Sequence, residues 1–551
     1  MLYFKKIKSL SIILLIFILF VLLSVPHLSD PYFFAPDADR ITMDGIFLLD
    51  FIRDLPKSLQ NIYEYTITYY AKYPALSIGY RPIVFPLAEA PLYFAFGLSY
   101  LSAKMAVLLF LFTGMFFWYQ LVSELYSSSY ALISLLLWLT NPMVYQYAQQ
   151  PMLEIPTLSM CIICMYYLHK YEANPSNHYC AIVLGIMVGL TIWTNQKSGF
   201  VLPLLFIYPI IKKNLSLLIS RNTMVSGFII MICLMPPVLI TLWLGDQNLS
   251  QSIGIMGSEW VSYEFELFKN ISYLYRFHFT GFMLILIIIG MIFSFISKDG
   301  RGLIFVCCII CVYVFFTVIR YKEPRYSMYW IPCFTIFACI GLEKMAGCLE
   351  KFLKPQGRYM KILIYCFPIL IQLSFFPNVF VGHAKGYEEA AEYVLQHTKS
   401  PVIFFHGYAN GQFIFFVRQN DPDRESVILR GSKIITSSSV TYRNKLQIHL
   451  HNAEDIYKRF SDYSVHFIVV ESSNTSGIEI YDGLRELLRD TLRFKLCRTI
   501  PVNSNVSLLK NQNLLIYENL AYKDGIEDRM LTLPLPIVGK TINVRLKKIT
   551  Q

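Results

Sequence analysis

Residues 9–26 read SLSIILLIFILFVLLSVP, and residues 36–45 read PDADRITMDG. The first stretch carries no charge over 18 residues, close to the roughly 20 that an α-helix needs to cross the hydrocarbon core of a bilayer. The second places three aspartates and an arginine directly behind that helix. Charged side chains gathered at a membrane boundary indicate chemistry at the membrane surface.

The apolar pattern of the first span recurs along the chain. Of 551 residues, 55% are hydrophobic and only 15% are charged, which is too apolar for a soluble enzyme. Long apolar runs continue to residue 377, and we count about eleven membrane spans. Residues 130–147 are predicted to be one of these spans, and residues 91–101 a short re-entrant or interfacial helix. The predicted fold is therefore a polytopic α-helical membrane protein.

Lysines and arginines give the predicted orientation, because positive charge in short loops stays in the cytoplasm. Lys5, Lys6 and Lys8 place the N-terminus inside, and with eleven crossings the later basic loops fall on the same side. An odd number of crossings puts the first loop, residues 27–102, and the C-terminal part outside. The exit of the first span lacks a small-residue cleavage pattern and is read as an anchor. We predict a multi-pass protein of the bacterial plasma (inner) membrane.

The net charge of +11 does not indicate nucleic-acid binding, because many basic residues lie at membrane boundaries where they set topology or meet anionic lipids. Membrane lipids are therefore expected partners.

The composition changes near residue 378, where the chain becomes polar. We predict a membrane domain over residues 1–377 and an extracytoplasmic α/β domain over residues 378–551. Alternation of helices with strands suggests a short, mostly parallel sheet. The predicted helices are 387–397, 453–463 and 483–493, and the predicted strands are 401–406, 465–470 and 513–517.

Four carboxylates on the outer side are candidate catalytic groups. Asp37, Asp39 and Asp44 lie in the first loop, and Glu154 lies at the outer end between the third and fourth spans. Each one alone is equally well explained as a helix cap or a partner of a helix dipole. As a group they suit a general base that takes a proton from an acceptor.

Five cations on the same side are candidate phosphate ligands. Three of them run against the positive-inside pattern, which is the better argument for binding an anion. A lysine between two spans is costly unless it reaches water or pairs with an anion, so that function and snorkelling compete there. The five are Arg81, Lys197, Arg320, Lys322 and Arg325.

Outer carboxylates and outer cations together suit a site that holds a lipid-linked phosphate. The cations would stabilise a phosphate leaving group while one acid deprotonates the acceptor. A sugar that leaves polyprenyl phosphate fits this arrangement, because the phosphate leaves without needing a proton.

A series of short motifs follows in order along the membrane part. This order resembles the GT-C glycosyltransferases, and within them family 39, which contains dolichyl-phosphate-mannose protein mannosyltransferases and aminoarabinose transferases. The resemblance implies an inverting transferase that uses a polyprenyl-phosphate sugar on the extracytoplasmic face, with protein, lipid or glycan as acceptor. The motifs are the acidic first loop, YPALSIGYRP at 73–82, PLYF at 91–94, MLEIP at 152–156, GLTIWTNQK at 189–197 and PRY at 324–326.

The resemblance also carries roles to single residues. Asp37 matches the first acid of the family's Asp-Glu pair and is the predicted base, while Ala38 stands where the second acid is expected. Asp39 and Asp44 are therefore kept as substitutes. Lys197 and Arg325 match positions expected to contact the lipid phosphate. Some relatives use a divalent metal in this region, and the sequence shows no histidine-rich ligand set that would select one.

Two other classes of protein remain open from the sequence. A transporter or flippase of lipid-linked glycans also needs acids and cations near a bilayer, although no internal repeat favours it. The Asp-Ala pair also leaves open an inactive scaffold. The sequence does not name the sugar, the polyprenol, the acceptor or the oligomeric state.

Overall fold

The computed structural model describes residues 2–28, 30–31, 35–77, 81–243, 267–298, 300–319, 322–352, 357–398, 401–437, 446–522, 528–535 and 540–547.

The secondary-structure elements described before residue 379 are all helices. Short 3₁₀ or π segments link several of the α-helices, at Gln196–Phe200, Leu215–Leu217, Leu274–His278, Gly300–Gly302, Pro324–Trp330 and Phe376–Asn378. The α-helices are α1 Leu2–Leu28, α2 Ala35–Arg53, α3 Lys57–Gln60, α4 Ile62–Lys72, α5 Val84–Phe96, α6 Tyr100–Leu125, α7 Ser128–Leu139, α8 Pro142–Ala148, α9 Glu154–Ala173, α10 His178–Thr194, α11 Val201–Ile211, α12 Arg221–Trp243, α13 Lys269–Tyr273, α14 Gly281–Ile296, α15 Leu303–Val318, α16 Ile331–Phe352 and α17 Gly357–Ser374.

Several of these helices suit a membrane. Within the described residues, five helical segments are long and apolar enough to cross a bilayer, and six more apolar helices are shorter. Helix α1 turns Leu15 and Leu22 outward with more than half of each side chain exposed, as expected of a surface that meets lipid rather than water. A multi-pass membrane protein is thereby supported, and the count of eleven spans stays a prediction.

Two predicted helices have different bounds. The predicted span 130–147 is divided into α7 and α8, because Pro142 has no backbone N–H to continue the helix. The side chain of Asn141 caps α8 instead, accepting from the Met143 N–H over 3.1 Å. The short helix predicted at 91–101 is α5, which begins earlier, includes Pro91 and ends before Gly97 at a φ of 81°.

Helices α14 and α16 pack with their backbones in close contact. A Cβ atom added at Gly290 would overlap the carbonyl oxygen of Phe337, and one added at Gly341 would overlap that of Leu286. Small residues permit this approach in membrane helices, where van der Waals contact replaces the hydrophobic driving force.

The strands of the described part of the chain all lie in the C-terminal region, between residues 384 and 547. Its helices are α18 Tyr387–His397, α19 Asn410–Gln419, α20 Gly431–Ile434, α21 Ala453–Asp462 and α22 Ile480–Leu487. Its strands are β1 Ala384–Lys385, β2 Val402–His406, β3 Val427–Arg430, β4 Thr436–Ser437, β5 Gln447–Ile448, β6 Phe467–Glu471, β7 Phe494–Pro501, β8 Asn503–Ser504, β9 Asn513–Asn519, β10 Asp528–Leu535 and β11 Lys540–Lys547.

The central sheet has five strands in the order β3-β2-β6-β9-β7. Strand β2 pairs in parallel with β3 and β6, whereas β9 is antiparallel to both β6 and β7. The prediction of a mostly parallel sheet is therefore wrong, because the sheet has two parallel and two antiparallel strand pairs. The short connection from β7 to β9 leaves no room for the crossover that parallel pairing needs.

A polar network joins the C-terminal region to the first loop. Arg418 of α19 donates to Oδ2 of Asp50 in α2, from Nε over 3.0 Å and from Nη2 over 2.7 Å. Both side chains are at most 3% exposed. Arg424 makes a similar pair with Asp54, in which each side chain is about a quarter exposed. The hydroxyl of Tyr73 donates to the carboxylate of Asp421 over 2.7 Å. The C-terminal region therefore holds α2 in place.

Candidate active site

Asp37 lies in the first turn of α2, and its carboxylate faces two arginines. Arg81 donates from Nη2 to Oδ1 of Asp37, and from Nη1 to the Asp37 backbone carbonyl over 3.1 Å. Arg325 donates from Nη2 to Oδ2 over 3.4 Å. Because 32% of the Asp37 side chain stays exposed, the carboxylate is held in place and can still meet a substrate.

Arg325 lies at the centre of a cluster of charged side chains that includes Asp37, Glu154 and Glu323. It is the second residue of the 3₁₀ segment Pro324–Trp330, and only 8% of its side chain is exposed. Besides Asp37, its guanidinium pairs with Oε1 of Glu154 at 3.3 Å and with the carboxylate of Glu323. Glu154 opens α9 and is also buried. Three carboxylates, two of them from distant parts of the chain, thus meet at one guanidinium.

Lys197 reaches the same place from the turn between α10 and α11. The side chain of Asn195 accepts from the Lys197 backbone N–H over 3.0 Å and fixes that turn. The Lys197 ammonium donates to the hydroxyl of Tyr326 and lies 4.2 Å from the centre of its ring. Among the described residues, no carboxylate lies within ion-pair distance of Lys197. It is therefore the cation best placed to receive an incoming anion.

The cations set the protonation of Asp37. Burial opposes ionisation, but Arg81, Arg325 and Lys197 together outweigh it and hold the pKa of the Asp37 carboxyl well below its ordinary value. The Asp37 carboxylate is fully ionised at neutral pH, and its affinity for a proton stays low as long as no other anion is bound to these cations. A phosphate bound to those cations would offset their field and raise the pKa of Asp37.

Asp39 and Asp44, the predicted substitutes for the base, are not brought to this cluster. The Asp39 carboxyl packs against the backbone of Gly411 in α19, where a Cβ atom would overlap it. The Asp44 carboxylate accepts from the backbone N–H of Ser77 over 2.8 Å and from its hydroxyl. Asp37 is thus the aspartate of the three that faces Arg325, and the catalytic roles of all three stay predictions.

Two of the predicted phosphate ligands are not seen at the cluster. The Lys322 ammonium donates to the backbone carbonyls of Phe316, Thr317 and Ile319 over 2.5–2.7 Å. A lysine at this position caps the C-terminal end of α15 and complements its dipole. Arg320 lies outside the described residues. The phosphate-binding roles of Arg81, Lys197 and Arg325 likewise stay predictions, although the structure brings these three together.

Sequence reasoning missed Glu323 and Tyr326. Glu323 directly precedes the PRY motif, and its acidic charge next to an arginine was the available signal. Tyr326 belongs to the motif itself, but only the fold shows that it accepts from Lys197.

The acids do not fit a divalent metal. Asp37, Glu154 and Glu323 all face the Arg325 guanidinium, which takes the place a cation would need. Within the described ranges, no group of three or more His, Cys, Asp or Glu side chains is arranged to hold a metal ion. No chemical step is therefore assigned to a metal.

A cleft of about 530 Å³ opens beside α8 and the π segment Leu274–His278. Apolar side chains such as Met143, Phe277 and Phe279 form much of its lining. His278 lies in its wall and is hydrogen-bonded through Nε2 to Ser327 at 2.5 Å. Since Ser327 is two residues after Arg325, His278 links the wall of the cleft to the element that carries the central guanidinium.

Known structures share this architecture. ArnT from Cupriavidus metallidurans, bound to undecaprenyl phosphate, aligns over 93% of this chain and 99% of its own with a TM-score of 0.59 and 12% identity. An oligosaccharyltransferase from Archaeoglobus fulgidus aligns over 86% of this chain and 70% of its own, with a TM-score of 0.57 and 12% identity. The mycobacterial arabinofuranosyltransferase AftD aligns over 95% of this chain and 40% of its own, with a TM-score of 0.52 and 10% identity.

The chain therefore has the fold that these structures share, the GT-C glycosyltransferase fold. A family profile described as dolichyl-phosphate-mannose-protein mannosyltransferase matches residues 81–240, which confirms the resemblance to the family 39 type. No curated protein sequence matches the chain.

Proposed function

We propose that the protein transfers a sugar from a polyprenyl-phosphate donor to an acceptor on the extracytoplasmic face of the membrane, with inversion at the anomeric carbon. The observation that carries the proposal is the pairing of a partly exposed, ionised Asp37 with Arg81 and Arg325, while Lys197 has no carboxylate partner among the described residues. A base and a cationic phosphate site thus adjoin each other. The undecaprenyl phosphate bound by ArnT supports the lipid carrier by analogy of fold.

The residues divide the reaction between them. The acceptor oxygen attacks the anomeric carbon while Asp37 takes its proton, and the bond from that carbon to the phosphate oxygen breaks. Polyprenyl phosphate leaves with the bonding electrons, and Lys197, Arg81 and Arg325 stabilise its added negative charge. Glu154 and Glu323 hold the Arg325 guanidinium in position.

The cations also couple binding to chemistry. Before the donor arrives, their field keeps Asp37 a weak base. The donor phosphate offsets that field, so the carboxylate becomes a stronger base only when a sugar is in place. The apolar cleft beside α8 suits the adjoining lipid chain.

Reconstituted vesicles test this proposal. The purified full-length protein should convert a polyprenyl-phosphate sugar into polyprenyl phosphate and a glycosylated acceptor. Lys197→Gln should lower kcat/KM for the donor by about 10- to 100-fold, because it removes one charge-assisted hydrogen bond to phosphate. Asp423→Asn, at an exposed acid of the C-terminal region, is the matched control and should leave the rate unchanged.

Two outcomes would contradict the proposal. Movement of an intact lipid-linked glycan across the vesicle membrane, without loss of sugar, would indicate a transporter. Absence of both transfer and transport, in protein that restores glycan synthesis when added to other envelope enzymes, would indicate a scaffold.

A further inference from the structure

A second group of cations lies where the C-terminal sheet meets the first loop. Strands β3 and β6 flank β2 on opposite sides and run parallel to it, so their last residues, Arg430, Glu471 and His406, share one edge of the sheet. In open parallel sheets, ligands bind outside the carboxyl ends of the strands where the strand order reverses. Here this edge faces the first loop, because Arg430 donates from Nη1 to the Pro74 carbonyl over 2.7 Å.

Three positive charges gather at this edge. Arg430 ends β3 and is 9% exposed, and Lys433 follows it in α20 and is 8% exposed. Arg40 of α2, which is partly buried, adds repulsion to both. Within the described part of the chain, Lys433 forms no hydrogen bond or ion pair, and Nε of Arg430 has no partner.

The acids nearby do not neutralise this charge. Asp39 attracts Arg430, yet it forms no ion pair within 4.0 Å among the described residues and its Oδ1 has no hydrogen-bond partner. Glu471 is engaged by the hydroxyl of Tyr387 at 2.8 Å and the backbone N–H of Ala409 at 3.2 Å. Even with Asp39 ionised, one carboxylate stands against three cations.

Histidine adds no charge at this edge. The His406 ring stacks on the Tyr481 ring at 3.6 Å, and burial together with Arg485 lowers the pKa of His406 to about 3. Burial, with Arg430 and Arg40, lowers the pKa of Lys433 to about 7. A nearly buried lysine without a counter-charge is costly to fold, and an anion in the same space would remove that cost.

We propose that Arg40, Arg430 and Lys433 form a second anion site, which takes a phosphate group and is separate from the donor cations around Arg325. Nη2 of Arg430 donates to the Ser432 hydroxyl over 3.4 Å, so that Nε is the donor of Arg430 left for an anion. The Arg40 guanidinium and the Lys433 ammonium add positive charge. Arg40 is three residues after Asp37, so the same helix α2 carries the predicted base and one residue of the second site. A phosphate on the acceptor, or free phosphate, has the chemistry that this site recognises.

Thermal unfolding of the full-length protein in detergent tests the site without using activity. Sodium phosphate, compared with sodium chloride at equal ionic strength, should raise the Tm of the wild type by roughly 2–4 °C near ten times the dissociation constant. Lys433→Met keeps the volume of the side chain and should abolish this rise. In chloride its Tm should equal or exceed that of the wild type, because a buried unpaired charge is gone.

Two further variants and a second ligand separate the sites. Lys510→Met, at an exposed lysine of the same region, and Arg325→Gln should both keep the phosphate-induced rise. Undecaprenyl phosphate should stabilise Lys433→Met as much as the wild type, and Arg325→Gln less.

The proposal is overturned if phosphate stabilises no more than chloride, or if Lys433→Met responds like the wild type. Loss of the rise in Arg325→Gln would assign the phosphate to the donor site instead. A shift by undecaprenyl phosphate that needs Lys433 would remove the separation of the two sites. Failure of the proposed transferase activity would leave each of these readouts intact.

Discussion

Replacing Arg418 by methionine removes the counter-charge of a carboxylate that has almost no contact with water. The Asp50 side chain is 2% exposed, and besides Arg418 it accepts from the Tyr69 hydroxyl over 2.6 Å. Breaking a buried pair by removing one partner costs about 3–5 kcal/mol, because the remaining charge is uncompensated. At about 2–4 °C per kcal/mol, the Tm of the C-terminal region should fall by roughly 6–20 °C.

Arg424→Met is the matched control, because Arg424 makes the same kind of bidentate pair with Asp54 across the same interface. That pair is about a quarter exposed on each side, and removing it should cost only about 0–1 kcal/mol. Thermal unfolding of the purified protein in detergent compares the two variants directly. Adding Asp50→Asn to Arg418→Met should recover part of the loss. Equal effects of Arg418→Met and Arg424→Met, or a loss under about 1 kcal/mol for the former, would refute the view that the buried pair anchors α2.

Three further predictions concern α2 and its surroundings. Lys197→Gln should weaken binding of undecaprenyl phosphate about 10- to 100-fold. Competition with the donor measures this affinity, and an affinity equal to that of the wild type would remove Lys197 from the phosphate site. Burial raises the pKa of Asp39 to about 8, although Arg430 and Arg40 act to lower it. The native state therefore keeps a proton that the unfolded chain releases near pH 4. The free energy of unfolding should then fall as pH rises from about 4 to 8. Asp39→Asn should flatten this dependence of Tm on pH, and an unchanged slope would assign it to other groups. Gly411→Ala should lower the free energy of unfolding by about 1–3 kcal/mol, because the new methyl group would overlap the Asp39 carboxyl. Gly483→Ala, with open space around it, should not destabilise the protein. Similar Tm values for both variants would contradict the close packing of α2 on α19.

Membrane character could be predicted from the sequence because it rests on composition over long windows. Hydropathy located the apolar helices, but it could not show the break at Pro142, where a single missing N–H and one asparagine cap decide the local structure. In the C-terminal region, alternating patterns located β2, β6 and β9. The predicted helix at 483–493 lies instead at Ile480–Leu487, and β7, with its mixed exposed and buried residues, gave too weak a pattern to be predicted.

The candidate site was predictable only as a set of residue types. The motifs placed Asp37, Glu154, Lys197 and Arg325 in loops on one side of the membrane, and the fold brings them together. Asp37 and Asp39, two residues apart on one helix, point to different neighbours. Spacing along the chain does not reveal those neighbours, so it could not distinguish the two acids. The pairing of Asp50 with Arg418 depends on residues hundreds of positions apart, for which local pattern carries no signal.

The most direct test of the central claim is the rate of sugar transfer from a polyprenyl-phosphate donor by Asp37→Asn and Asp39→Asn, each compared with the wild type. Loss of the base at Asp37 should lower kcat by about 10²- to 10⁴-fold, while Asp39→Asn, whose carboxyl faces α19, should stay within about tenfold of the wild type. Wild-type transfer rates in Asp37→Asn, or a collapse confined to Asp39→Asn, would contradict the assignment of Asp37 as the base.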